Sequence, residues 1–145
     1  MRGPKPDRGS APAVADLIAG NVDLMFDNLP SIGPQAKAGN VVGIAVTSAQ
    51  RSAFAPEYPT IAETVPNFDV QGWFGIGLRA GTPQPIVDAV EAATIAICKN
   101  EDTKKRLATG FFQVVGSTQK QFGDYVLAER QRWGKLITEL KIKAD

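Results

Sequence analysis

The sequence predicts an α/β fold built around a mainly parallel sheet. Short apolar runs of strand length alternate with segments of helical periodicity. The runs at 22–26, mostly apolar around Asp23, and 41–46 lack a regular polar alternation, as strands covered on both faces do. Each run ends in small polar residues, Asp27-Asn28 after the first and Thr47-Ser48 after the second. In open α/β sheets, ligands bind outside the carboxyl ends of strands.

The elements follow in order. Ser10 is placed to cap a helix over Ala11–Ala19, with Gly20 as its left-handed stop. After the strand Val22–Phe26, the breakers Pro30, Gly33 and Pro34 leave room for a helix over 31–38, closing at Gly39-Asn40. The strand Val41–Val46 leads into a loop at 49–59, rich in alanine, serine and proline. That loop is the candidate crossing between two lobes. Thr60 and Glu63 have capping-box spacing, which predicts a helix of one or two turns before Pro66. Residues 69–79 predict a long strand whose glycines imply close backbone approach. Thr82 as cap and Pro83 at the first position open a helix to Lys99, with Val87, Val90, Ala93, Thr94 and Ile97 facing inward. Asn100 stops it. A helix over Glu101–Thr109 closes at Gly110, and Phe111–Val115 forms a strand. Ser117 then caps a final helix whose apolar stripe runs from Phe122 to Leu140, interrupted by Glu129.

Composition narrows the chemistry. The chain has 145 residues, 43% of them hydrophobic, and a formal net charge of +1. Sixteen basic residues set against 15 acidic ones give no field for nucleic acid or anionic lipid. The absence of histidine removes the commonest general base, proton shuttle and metal ligand. It also excludes serine–histidine and cysteine–histidine nucleophilic sites within the chain. The single cysteine, Cys98, excludes an internal disulfide and a multi-cysteine zinc site. No metal or cofactor is expected. Residues 1–8 are basic and proline-rich without an apolar core after them, so they read as a disordered leader and not as a secretory signal.

Several motifs occur in one order along the chain. They are Gly9-Ser10-Ala11-Pro12-Ala13, Gly20-Asn21-Val22-Asp23-Leu24-Met25-Phe26-Asp27-Asn28 and Ala45-Val46-Thr47-Ser48-Ala49-Gln50-Arg51. Pro59-Thr60-Ile61-Ala62-Glu63, Gly72-Trp73-Phe74-Gly75, Ala80-Gly81-Thr82-Pro83 and Arg132-Trp133-Gly134-Lys135 follow. In these the chain resembles the substrate-binding proteins of tripartite tricarboxylate transporters, the Bug family of periplasmic solute receptors. The resemblance implies a type II periplasmic-binding-protein fold, with two lobes closing on a small carboxylate or acidic amino acid. It also implies delivery to an inner-membrane permease, a periplasmic location, and no catalysis. Family members are about twice this long. The amino-terminal half of the family fold, with its glycine-rich carboxylate loop, has no match here. In the family's plan residues 9–52 belong to the second lobe, and 53–145 complete the first.

Each candidate ligand residue has a bland reading beside it. Ser10, with the amides of Ala11 and Ala13, begins a helix where anions are favoured, and the resemblance places a ligand-facing loop there; Ser10 is otherwise only a cap. Asn28 donates to a ligand oxygen, with Asp27 orienting it or meeting an amine; alternatively both form a turn. The hydroxyls of Thr47 and Ser48 bond the ligand, or close a turn. Trp73 and Phe74 line the cleft or, as aromatics on a buried strand more often do, belong to the core; Trp133 and Cys98 read as packing residues.

The sequence therefore predicts a solute-binding module for a small organic acid. The alternative is a truncated, non-binding remnant that associates as a homodimer through exposed edges. An α/β enzyme would have to work with carboxylates, lysines and tyrosines alone, and no pair of these has telling spacing.

Overall fold

Helices carry the regular structure of this chain. The computed structural model describes residues 9–142. The leader expected over 1–8 lies outside that range. Among the described residues five helices follow one another, α1 Ser10–Ile18, α2 Leu29–Lys37, α3 Gln84–Lys99, α4 Glu101–Thr109 and α5 Gln119–Glu139, with one 3-10 turn at Ile61–Glu63 between α2 and α3.

The sequence placed these helices correctly and mislaid several of their caps. α1 starts one residue early, with Gly9 as N-cap at φ 104°, so Ser10 is its first residue and not its cap. α2 starts at Leu29, two residues early, because Pro30 sits near the helix start, where a missing N–H costs nothing. α3 starts at Gln84. Thr82 spends its hydroxyl on the Arg79 carbonyl at 2.8 Å and so closes a turn. α5 is capped by Thr118 and not Ser117, since Gln121 reaches back to the Thr118 amide at 2.9 Å and fixes the register. Asn100 does double duty. It ends α3, and its side chain accepts from Thr103 N at 3.0 Å to open α4.

α1 and α2 end alike, in Ala19-Gly20-Asn21 and Ala38-Gly39-Asn40. In each, glycine takes a left-handed conformation (φ 71° and 76°), and the asparagine amide bonds back to the residue five earlier, Asp16 and Gln35. These are Schellman closures, which satisfy the orphan carbonyls of the last turn. The end of α4 departs from expectation. Phe111, and not Gly110, adopts the left-handed conformation (φ 64°), with Phe112 N bonded to Leu107 O at 3.0 Å. Its ring lies against Gly33 of α2, and the Lys37 ammonium stands 4.5 Å from the ring centroid.

The expected parallel sheet does not form among the described residues. Its trace is one isolated parallel bridge, Val46 with Thr60. The runs at 22–26, 41–45, 69–79 and 112–115 find no ladder partner there, and a strand is stable only when its backbone groups are paired. Their apolar side chains stand open: Phe26 is 72% exposed, Val42 88% and Phe74 76%. Trp73 is also exposed, so the core reading of Trp73 and Phe74 is corrected. Among the described residues the buried apolar side chains are Val14 and Ala55, and the buried polar one is Thr60.

The chain divides into two compact units. One holds the described residues through Trp73 together with Leu107–Phe112; the other holds Phe74–Arg106 and the described residues from Gln113. In the first, α1 packs on α2. Within this unit the loop at 49–59 is closed by hydrogen bonds between its two ends. Val46 N bonds Pro59 O (2.9 Å), Ile61 N bonds Val46 O (3.0 Å), and Thr60 Oγ1 donates to the Ser48 carbonyl. In the second unit, Glu91 of α3 accepts from Gln119 N at 2.9 Å, and Cys98 lies against Gly116. The covered face of α3 runs through Val87, Val90, Thr94 and Cys98. Ile97, expected inward, and Ala93 are exposed. The covered stripe of α5 is Phe122, Val126, Glu129 and Trp133. Glu129 belongs in it because its carboxylate accepts the Trp133 indole N–H at 2.8 Å.

Candidate functional site

Two helix starts meet at one carboxylate. Ser10, the first residue of α1, donates its hydroxyl to Asp27 Oδ1. The same oxygen accepts the backbone N–H of Asn28, the N-cap of α2, at 2.8 Å. The positive ends of both helix dipoles thus lie beside Asp27, where negative charge is favoured. The second oxygen, Oδ2, is buried and has no hydrogen-bond partner. Asp27 is therefore neither a turn former alone nor a group turned toward solvent. It fastens α1 to α2.

That fastening determines what the cluster can offer. A serine hydroxyl has one hydrogen, and here Asp27 takes it, so toward a third group Ser10 Oγ offers only lone pairs. With Gly9 as N-cap, its carbonyl accepts the Ala13 amide as the first bond of α1. The expected Ala13 donor is thereby withdrawn, because the helix begins one residue early. Pro12 has no N–H. The amides of Ser10 and Ala11 have no acceptor within the helix. Asn28 makes no side-chain cap bond and is exposed, so its amide is free to face outward.

Thr47 and Ser48 differ from one another. The Ser48 hydroxyl donates to Gln50 O at 2.7 Å and closes a turn, which is the bland reading. Thr47 accepts Val70 N on its carbonyl at 2.9 Å and makes no side-chain hydrogen bond among the described residues. The segment 69–73 ties this turn to the helix starts. Asp69 accepts from Ala49 N at 3.1 Å, Val70 bonds Thr47, and Gly72 abuts Asn28 Oδ1. Two residues of chain span at most about 7 Å. The structure thus brings Ser10, Asp27 and Asn28 together by direct bonds and Thr47 to them through Val70 and Gly72. Sequence reasoning missed Asp69 and Gly72 as members of this cluster, although the glycines of 69–79 had signalled close backbone approach.

In the same unit, Arg51 and Glu63 form a two-pronged ion pair across the loop, Nε to Oε1 at 2.8 Å and the second nitrogen to Oε2 at 3.0 Å. The hydrogen bond from Arg51, then that from the Thr60 amide, holds the Glu63 carboxyl below its ordinary range; Glu63 in turn raises the Arg51 guanidinium. A separate open hollow of about 450 Å³ at the α3–α4 corner is lined by Ala96, Ile97, Asn100, Asp102, Thr103 and Arg106 and contains none of the expected ligand residues. Among the described residues, no group of three or more cysteines and carboxylates could hold a metal ion, and no helix is long and apolar enough to cross a membrane.

Comparison with known proteins supplies a family. Residues 4–142 match the tripartite tricarboxylate transporter family receptor. The UPF0065 protein in the tcbD–tcbE intergenic region of Pseudomonas sp. (strain P51) is 36% identical over 142 residues, covering 97% of this chain and 42% of that protein. Among solved structures, R. palustris Rpa4515 with adipate superposes with a TM-score of 0.86 at 34% identity, covering 92% of this chain and 45% of that one. The periplasmic binding protein BugD gives a TM-score of 0.85 at 28% identity, covering 97% and 48%. The chain spans less than half the length of each of these three proteins.

Proposed function

Because the chain belongs to the family of tripartite tricarboxylate transporter receptors, we propose that it is an extracytoplasmic solute-binding module that captures a small carboxylate for a transporter of that kind. The proteins it resembles are periplasmic binding receptors, not enzymes. The reading is carried by the convergence of α1 and α2 on the Ser10–Asp27–Asn28 cluster. The amides of Ser10 and Ala11 and the Asn28 side chain supply uncharged donors beside two helix starts, an arrangement suited to a carboxylate. Asp27 sits behind them and holds the first helix in place. Thr47 adds a hydroxyl from the neighbouring turn.

The ligand in this reading is a dicarboxylate of the size of adipate, the molecule held by the Rpa4515 structure, or an acidic amino acid. The partner is an inner-membrane permease and the compartment is the periplasm. Thermal unfolding against dicarboxylates, tricarboxylates and acidic amino acids tests the proposal. Ligand at a hundredfold excess over Kd adds about 2.7 kcal/mol, a rise in Tm of roughly 5–10 °C for a chain of this size. A folded sample whose Tm no acid moves contradicts it.

A second reading has its own observation. The open apolar residues on the segments outside any sheet, Leu24, Phe26, Val42, Ile44 and Ile76, suit a chain that associates with a copy of itself as a non-binding dimer. Gel filtration with light scattering separates the two. A monomer that binds acid supports the receptor, and a tight dimer indifferent to acid supports the alternative.

A further inference from the structure

We infer that Gly72 is a positioning residue for the ligand site: its missing side chain is what lets the Asn28 amide take the orientation in which Nδ2 faces outward as a donor. The inference rests on the proposed receptor reading and adds to it a residue from a different part of the chain.

A Cβ built on Gly72 would overlap Asn28 Oδ1, and the carboxamide carbon would lie 3.4 Å from it. The oxygen therefore rests directly against the Gly72 backbone. Cα–H groups carry slight positive charge and attract carbonyl oxygens, whereas an amide nitrogen in the same place would meet hydrogen with hydrogen. The carboxamide thus lies with oxygen inward, and planarity sends Nδ2 the other way. No side-chain cap bond competes for the group. Any larger residue at 72 has to push the Asn28 side chain aside.

Gly72 cannot simply retreat. Val70 N is bonded to Thr47 O at 2.9 Å, and the Asp69 carboxylate is held by Ala49 N at 3.1 Å and Gln71 Nε2 at 2.9 Å. The segment is pinned two residues before the contact. On the other side, Asn28 is pinned through its own amide, which donates to Asp27 Oδ1 at 2.8 Å. With both backbones held, the strain of an added methyl falls on the Asn28 torsions.

The test pairs binding with a signature of the side chain itself. Adipate is titrated calorimetrically into the full chain and its Gly72→Ala, Asn28→Ala and doubly substituted forms. The Asn28 side-chain amide is followed by nitrogen–proton NMR without ligand. Losing one hydrogen bond to a charged carboxylate weakens binding about tenfold or more. Gly72→Ala is expected to move the Asn28 amide signals and weaken adipate by about tenfold, with the double form no weaker than Asn28→Ala alone. Unmoved signals with unchanged affinity, or losses that multiply in the double form, overturn the inference. Should Gly72→Ala not fold, the wild-type chain decides: a nuclear Overhauser contact from the Asn28 Hβ protons to the Gly72 Hα protons, stronger than any from the Asn28 side-chain NH2, is expected, and a stronger contact from the NH2, or none from Hβ, overturns the inference. A wild type that binds none of the acids defeats the receptor reading, while the NMR contact still reports on the packing of Asn28 against Gly72.

Discussion

Asp27 holds two helix starts with one oxygen and leaves the other unsatisfied. That arrangement makes its truncation costly. Asp27→Ala leaves the Ser10 hydroxyl and the Asn28 amide without their acceptor and is expected to destabilise by about 1–3 kcal/mol, against about 1 kcal/mol for Ser10→Ala. The double variant should cost less than the sum, by a coupling of at least about 0.5 kcal/mol in denaturant titrations. Strict additivity would mean that the two side chains do not act together. That Ser10, Asp27 and Asn28 stand at helix starts was legible in the sequence, Asp27 and Asn28 because small polar residues follow an apolar run and Ser10 because a serine precedes a helical stretch. Their division of labour was not. It depends on the helix starting at Gly9, one residue earlier than the serine cap implied, and on a hydrogen bond spanning 17 residues that no local pattern encodes.

At the scale of elements, two devices hold the first unit and each makes a prediction. Gly20 and Gly39 sit at left-handed positions closing α1 and α2. A Cβ there is strained by about 1–2 kcal/mol, partly offset by a stiffer unfolded chain, so Gly20→Ala and Gly39→Ala should each cost about 1 kcal/mol. No loss in either would mean the closures contribute nothing. The second device is the Arg51–Glu63 pair with the Thr60 capping box. Folding lowers the Glu63 pKa, so the stabilisation is present above the ordinary glutamate range and lost as pH falls through the folded value. Wild-type Tm should therefore fall more steeply than that of Glu63→Gln below about pH 4. The pair is half exposed, so added salt should shrink the difference. Matching acid limbs would contradict this. The capping box was legible because Thr60 and Glu63 stand three apart; Arg51, 12 residues from Glu63, was not. The helices were legible from periodicity and stops. The strands were legible as apolar runs, but a run cannot declare its partner, and only Val46 finds one among the described residues.

For the whole molecule, the family was legible from motifs in order, since such motifs persist in a chain spanning under half of its solved relatives. The pairing of the runs was not, because sheet formation depends on chain segments brought together in space. Open apolar segments predict a concentration-dependent tendency to associate, read by light scattering, which should persist at high salt, since apolar contacts are not screened and a net charge of +1 leaves little repulsion to remove. A monomer at every concentration and ionic strength would show that these segments are not sticky.

The Ser10–Asp27–Asn28 cluster is proposed to hold an organic anion. Calorimetric titration of adipate into wild type and Asn28→Ala at equal concentration tests it most directly. Saturable binding at one ligand per chain, weakened about tenfold or more by the substitution, is the expected result. Equal affinity in the two forms, or no heat from a folded wild type with any acid of the series, would contradict it.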